Sequence, residues 1–343
     1  MTIMIGIDPH KATHTAVAID SDENVVDECR VRASLTQTER LVEWAAGFEQ
    51  RRWAVESASG LGYLVSQQLV AAGEAVFDVS PVLASRVRVL GSARSHKNDP
   101  NDARSVAIAA LRSHRLNRVR PDDHTRVLRL LAKRHRDMAQ LRNLHCNRLH
   151  ALLLELRPGG IPSTMTVTKA NLLLASVFVS DEVTRYRVLI AGELIDDIAQ
   201  LDTTLKASKK RITQAVAASG TTLTDIAGIG PICAATIIGY VGDVARFPTK
   251  GHFATYNATA PIEASSGPRT RHRLNPRGNR KLNHAIHIAA ISQLRHDTEG
   301  QTYYNRKITE GKSSKEAIRA LKRRISDRIY RHLVTDTHKT IID

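Results

Sequence analysis

Apolar positions follow two different rhythms along this chain. Over roughly the first 120 residues they fall in short runs rich in β-branched side chains, and beyond that they recur every three or four residues over long stretches. The runs at 2–7 (TIMIGI), Thr15–Ile19, Val25–Arg32, Trp53–Ser57 and Ala75–Ser80 therefore predict strands. Between the third and fourth, Thr36-Gln-Thr-Glu39 has capping-box spacing and opens a helix to about Gly47. A second helix is expected from Leu61 to Ala72, stopped by Gly73. Asp99-Pro100 opens a third, to about His114, because aspartate caps well and proline suits the first helical position. The order β-β-β-α-β-α-β-α predicts a mixed sheet covered by helices.

The later rhythm is helical. Thr125–Leu156 reads as one long basic helix, roughly 50 Å at about 1.5 Å per residue, ended by Pro158-Gly-Gly160. A second runs from Asp181 to Ala218, where Ala191, Leu194, Ile198, Leu201, Leu205, Ser208 and Ile212 alternate spacings of three and four. That is a coiled-coil seam, and such a seam pairs equally well within one chain or between two. From Leu223 onward the pattern is again mostly helical, broken by Thr259–Gly278, whose Pro, Gly, Ser, Asn and Arg predict a loop. The expected class is α/β plus all-α: a domain over 1–120, a helical linker over 121–218 and a helical C-terminal domain over 219–343.

Charge narrows the function. The 343 residues carry 50 Lys and Arg against 34 Asp and Glu, a net of +16, with 42% hydrophobic residues to build cores. Residues 1–60 are net −4, 61–150 net +9, 151–220 net +1 and 221–343 net +10, so two basic regions flank a nearly neutral middle. Such an excess points to a polyanionic partner and away from an ordinary small-metabolite enzyme. Cys29, Cys146 and Cys233 are odd in number and far apart, which excludes a disulfide framework or a CxxC zinc site and fits a reducing cytoplasm. No apolar run reaches the roughly 18 residues of a membrane span, and the N-terminus lacks the basic start of a signal peptide. An aromatic content of 4% offers few anchors for a membrane surface.

Four acids stand at positions where chemistry is expected. Asp8 ends the first strand, Glu56 ends the fourth, and Asp99 and Asp102 share one face of a helical first turn. Strand ends at one sheet edge and a facing helix can bring the four together, and clustered carboxylates hold hard cations such as magnesium. Two such ions clamp the attacking and leaving oxygens of a phosphodiester. Taken singly, Asp99 and Asp102 read as helix-capping groups and Asp8 as a turn residue; the ordered set carries the argument.

Two later stretches are informative. In Ile226-Ala-Gly228-Ile-Gly230-Pro231 a Gly-x-Gly turn precedes a helix start, which can hold a phosphate or can be a plain helix–helix turn. The segment Pro261–Arg273 places Ser265 and Ser266 beside Gly267, with Arg269, Arg271 and Arg273, and Arg277 and Arg280 follow. Those arginines can neutralise a phosphodiester, and His272 is a phosphate contact or proton shuttle. Arg112, Arg115, Arg118 and Arg120, and Lys315, Arg319, Lys322 and Arg323, are further backbone-contact candidates or solvated faces; Ile318, Leu321, Ile325 and Ile329 form an apolar stripe between the latter.

The motifs IGIDPHK at 5–11, VESASG at 55–60 and KNDPNDAR at 97–104 resemble the RuvC-like, ribonuclease-H-fold domain of the DEDD insertion-sequence transposases, the IS-one-ten group with its Piv DNA-invertase relatives. GIGP at 228–231, ASSGPR at 264–269 and PRGNRKLNHAI at 276–286 resemble the serine-bearing C-terminal domain of the same group. The resemblance implies that Asp8, Glu56, Asp99 and Asp102 are the DEDD tetrad, with Lys11 and Arg104 at its flanking basic positions. It implies Ser266 as nucleophile, with Ser265 one register away, and puts Asn283 where many members have arginine.

The function it implies is a DNA transposase or recombinase. Magnesium ions on the tetrad would help activate the serine, which would attack phosphorus and hold one DNA end covalently. It also implies double-stranded DNA and a structured guide RNA as partners, and homodimers pairing on two duplexes. The alternatives are a RuvC-like junction nuclease using water, a non-enzymatic nucleic-acid-binding protein, and, within the recombinases, a DNA invertase.

Overall fold

The computed structural model describes residues 2–91, 99–113, 116–161, 164–263, 272–273, 275 and 278–342, with 91, 263, 272–273 and 339–342 as backbone alone. The chain divides into two compact units, Met1–Asp122 and Asp123–Asp343.

The first unit runs β1 (Ile3–Pro9), β2 (Thr13–Ile19), β3 (Val25–Arg32), α1 (Gln37–Trp44), β4 (Arg51–Glu56), α2 (Tyr63–Ala71), β5 (Val76–Val79), α3 (Pro81–Gly91), α4 (Asp99–Leu111) and β6 (Asn117–Arg118). Its strands order as β3-β2-β1-β4-β5-β6. β1, β4 and β5 run parallel, while β2, β3 and β6 pair antiparallel with their neighbours. This is the mixed sheet covered by helices that the order of predicted elements implies.

Strand alternation divides the core in two. Ile3, Ile5 and Ile7 pack with Leu41, Val65 and Leu69 of α1 and α2. Met4, with Val17 and Ile19 of β2, packs with Ala103, Val106 and Ala107 of α4. Gly6 is required here: a Cβ at that position would lie 2.1 Å from the Ala103 carbonyl oxygen and 2.5 Å from the Ala107 nitrogen. The helix backbone therefore rests directly on β1.

The expected capping box is not formed. Thr36 makes no side-chain cap hydrogen bond, and its hydroxyl lies 3.3 Å from that of Ser34. α3 and β6 have no counterpart in the sequence reading; Arg and Val alternate through 86–89, which blurs the helical period.

The second unit is helical: α5 (His124–Leu156), α6 (Val167–Ala175), α7 (Glu182–Ala218), α8 (Pro231–Val241), α9 (Lys250–Tyr256), α10 (Arg280–Leu294), α11 (Glu299–Thr309) and α12 (Ser314–Ile342). Asp123 caps α5 through the Thr125 N–H, and Asp181 caps α7 through the Thr184 N–H. α5 and α7 form an antiparallel hairpin within the chain. The two helices are cross-linked by His135–Ser208 (3.2 Å), Arg142–Asp202 (2.5 Å), His145–Asp197 (3.2 Å) and Arg187–Glu155 (2.7 Å). The buried seam follows Ala191, Ile195, Ile198, Ser208, Ile212 and Val216, so Ile195 takes the place expected for Leu194.

The base of this hairpin packs with the helices that follow it. Leu128, Ala132, Ile212 and Val216 share one core with α8, α10 and α12, including Ile237, Ile286, Leu321, Ile325 and Ile329. The region expected as a loop over 259–278 contains a short ladder, β7 (Ile262–Glu263) with β8 (His272–Arg273). Among the described residues no helix is long and apolar enough to cross a membrane.

Candidate metal centre and serine segment

β-sheet register assembles the acidic site. Asp8 stands opposite Thr15 on β2, and Thr15 stands opposite Arg30 on β3. On the other side Ile7 pairs with Val55, so the next step of that parallel register sets Glu56 beside Asp8. Arg30, Thr15, Asp8 and Glu56 thus form one row across four strands, on the face that carries α4. Because Gly6 lets α4 sit on β1, the first turn of α4 brings Asp99 and Asp102 over that row.

Local turns hold the acids in place. Glu56 is followed by Ser57 in the left-handed region (φ 52°), and the Ser57 and Ala58 N–H groups donate to the Val79 carbonyl and to Asp78 Oδ1. Gly62 closes the turn where a Cβ would lie 2.8 Å from the Glu56 carbonyl.

The electrostatics are those of crowded like charges. Burial raises the Glu56 carboxyl above its ordinary value, and Asp8 and Asp102 push it further. Asp8 and Asp102 are buried, at 8% and 9% exposed. Arg88 of α3 pairs with Asp102 at 2.5 Å, Arg30 with Asp99 at 3.5 Å, and His10 Nδ1 lies 3.7 Å from Asp8 Oδ2. Ligand atoms of Asp8, His10 and Asp99 all fall within 4.8 Å of one another. This oxygen-rich donor set, with a raised carboxyl beside it, suits a hard divalent cation.

Two family models match this chain. The model DEDD_Tnp_IS110, described as a transposase, covers residues 5–158, and that described as Transposase IS116/IS110/IS902 family covers residues 220–305. The chain belongs to the IS110/IS116 family of transposases. The transposase is 26% identical to the insertion element IS116 uncharacterized 44.8 kDa protein of Streptomyces clavuligerus, over 95% of this chain and 93% of that protein. It is 24% identical to the insertion element IS900 uncharacterized 42 kDa protein of Mycobacterium paratuberculosis, over 94% and 93%. A further relative, the insertion element IS110 uncharacterized 43.6 kDa protein of Streptomyces coelicolor, is 38% identical over 30% of this chain and 26% of its own. Among solved structures, RuvC of T. thermophilus in complex with a Holliday junction substrate aligns with 35% of this chain and all of its own, at 16% identity and a TM-score of 0.28.

Described residues on either side of the transposase's serine motif are tied together. Asn257 Nδ2 donates to Ser326 Oγ, Asn279 N–H donates to the Tyr256 carbonyl, and Asn275 Nδ2 donates to the Thr255 carbonyl. Asn283 is part of this clasp: its Nδ2 donates to the Asn257 carbonyl, and Lys322 Nζ donates to its Oδ1. Burial, then the charge of Arg319, lowers the Lys322 ammonium below its ordinary value, so Lys322 is a strut rather than a solvated contact. Ser265, Ser266, Arg269, Arg271 and Arg277 lie outside the described residues, as does Arg115; Arg273 and His272 are placed by backbone alone.

The remaining candidates separate. Arg280 is exposed at the start of α10. Gly228 has a positive φ of 82°, and a Cβ there would meet the Ala289 carbonyl at 2.5 Å, so packing against α10 accounts for it. Gly230 precedes α8 with nothing within 4 Å of where its Cβ would be. Arg112 pairs with Glu23, Arg104 donates to the Glu23 carbonyl, and Arg323 pairs with Asp327, whereas Arg118, Arg120, Lys315 and Arg319 are exposed. The sequence reading did not single out His10, Thr15, Arg30 or Arg88. His10 follows β1 directly, two residues beyond Asp8, within the IGIDPHK motif; Arg88 has no such signal, because it arrives on a helix that the pattern does not reveal.

Proposed function

We propose that the transposase cuts and rejoins double-stranded DNA through a covalent serine–phosphate intermediate. The observation that carries this reading is the row formed by Asp8 and Glu56 beneath Asp99 and Asp102, an acidic cradle on a transposase chain. Those four acids would hold magnesium, with His10 at the rim, and the ions when bound would neutralise the scissile phosphate and lower the cost of activating a hydroxyl.

Ser266 is the nucleophile in this scheme. Its Oγ attacks phosphorus, the bond to the 3′-oxygen breaks, and that oxygen takes up a proton. The phosphoester bond energy is kept, so a 3′-hydroxyl of the partner strand rejoins by attacking the same phosphorus and releasing the serine. The arginines at 269, 271, 273, 277 and 280 would hold backbone phosphates. Gly230 and the start of α8 would offer backbone N–H groups to a phosphate. The scheme needs acids and serine on one phosphorus, supplied by one chain or by two chains of a homodimer, with dimers paired on two duplexes. A structured guide RNA fits the same basic chain.

The test is a denaturing gel of the protein with labelled element-end DNA and magnesium. A covalent adduct lost in Ser266→Ala and kept in Ser265→Ala supports the scheme. Cleavage without any adduct would make water the nucleophile, as in a junction nuclease. Sequencing of RNA that co-purifies with the full chain tests the guide.

A further inference from the structure

A cavity of about 470 Å³ opens beside the acidic cradle, lined by Thr15, Glu28, Cys29, Arg30, Asp99 and Pro100. Thr15, Glu28 and Arg30 share the α4 face of the sheet, since Thr15 pairs with Arg30 and Val17 with Glu28. Thr15 is only 3% exposed, yet its Oγ1 has no hydrogen-bond partner among the described residues. A buried hydroxyl left unpaired costs on the order of 1–3 kcal/mol, and a protein retains such a group where something else satisfies it. Arg30 forms the wall: its guanidinium lies 3.5 Å from Asp99 and 3.5 Å from the Thr13 hydroxyl, and its side chain is 64% exposed.

The geometry points to this cavity as the seat of one nucleotide of the DNA strand, next to the bond that is cut. The volume lies in the range of small-ligand pockets. One guanidinium and one unpaired hydroxyl match a phosphate, and the carboxylate of Glu28 at the rim accepts a base N–H. The cradle and the cavity share Asp99. A divalent cation at Asp99 supplies the positive charge that Arg30 now supplies, which frees the guanidinium for the phosphate. Cation and nucleotide therefore favour each other's binding. This inference rests on the DNA reading above, and it adds a strand-positioning role for Thr15 and Arg30.

The test uses the full chain and a fluorescein-labelled duplex spanning the junction of the encoding element with its flank. Anisotropy is read across a salt series with calcium present, alongside thermal melting. Thr15→Val removes only a hydroxyl that has no partner among the described residues, so its melting temperature should hold or rise while DNA affinity falls about threefold to tenfold. Arg30→Ala should weaken binding and lower the slope of log affinity against log salt by about one, and Arg30→Lys should restore the slope. Wild-type binding with unchanged affinity in Thr15→Val, or an unchanged slope in Arg30→Ala, overturns the cavity and leaves the DNA reading intact. Absence of wild-type binding to this duplex overturns the DNA reading and the cavity with it.

Discussion

At the scale of single residues, the site depends most on a side chain that is missing. Gly6 carries no chemistry, yet its lack of a Cβ sets the height of α4 above β1 and so the distance from Asp99 and Asp102 to Asp8. Gly6→Ala should lower stability by about 1–3 kcal/mol through overpacking. It should lower metal-dependent cleavage by a larger factor, because a shift of about 1 Å between reacting groups is costly. Thermal melting and a cleavage assay on the same preparation separate the two effects, and equal loss in both would refute the positioning role. His10 gives a second expectation. If its imidazole joins Asp8 and Asp99 around a cation, His10→Ala should weaken manganese binding several-fold in a calorimetric titration, while Asp8→Asn should abolish it. Unchanged manganese affinity in His10→Ala would make the 3.7 Å approach of His10 to Asp8 a simple ion pair.

At the scale of elements, what the sequence makes legible follows from what each pattern reports. Strand runs and seams report burial, so β1 to β5, α5 and α7 stand close to where their periods put them. The four acids were readable because they end such elements. The partners of those acids were not: Arg30 and Thr15 reach the row only through strand register, and register depends on pairings that no local run encodes. The serines were readable as a motif, but they lie outside the described residues. One strut shows how elements are tied to each other. Glu74 accepts from Arg51 at the start of β4 (2.6 Å) and from the buried Trp53 indole (2.7 Å). Burial alone would raise its carboxyl, but hydrogen bonds from Arg51 and Trp53 win and hold it below its ordinary 4.5. A carboxyl lowered by folding stabilises the protein above its unfolded value and loses that contribution as pH falls. Glu74→Gln should therefore cost about 1–2 kcal/mol at pH 7, and the difference from wild type should shrink below about pH 4.5 in urea unfolding. A difference that stays constant down to pH 3 would assign the effect to shape rather than charge.

At the scale of the whole molecule, the division into two units sorts the charge in a way that windows along the sequence conceal. Residues 1–122 carry 15 basic and 15 acidic side chains, whereas residues 123–343 carry 35 and 19, so the entire net charge of +16 belongs to the second unit. The unit with the acidic cradle is neutral, and the unit with the serine segment and the long basic helix bears the excess. Affinity for a polyanion without regard to sequence follows that excess, because each phosphate neutralised releases counterions. The two units also have separate cores: α1 to α4 close on the sheet of the first, and α5, α7, α8, α10 and α12 close on each other in the second. Each should then fold when expressed alone, as circular dichroism and a cooperative melt would show. Residues 123–343 should bind duplex DNA with most of the salt slope of the full chain, and residues 1–122 should bind it weakly even with magnesium. If the first fragment instead carried the slope, charge would be a poor guide to where this transposase grips DNA. The cradle and its neighbouring cavity would then be the main contact, not a catalytic edge brought to DNA that the second unit already holds.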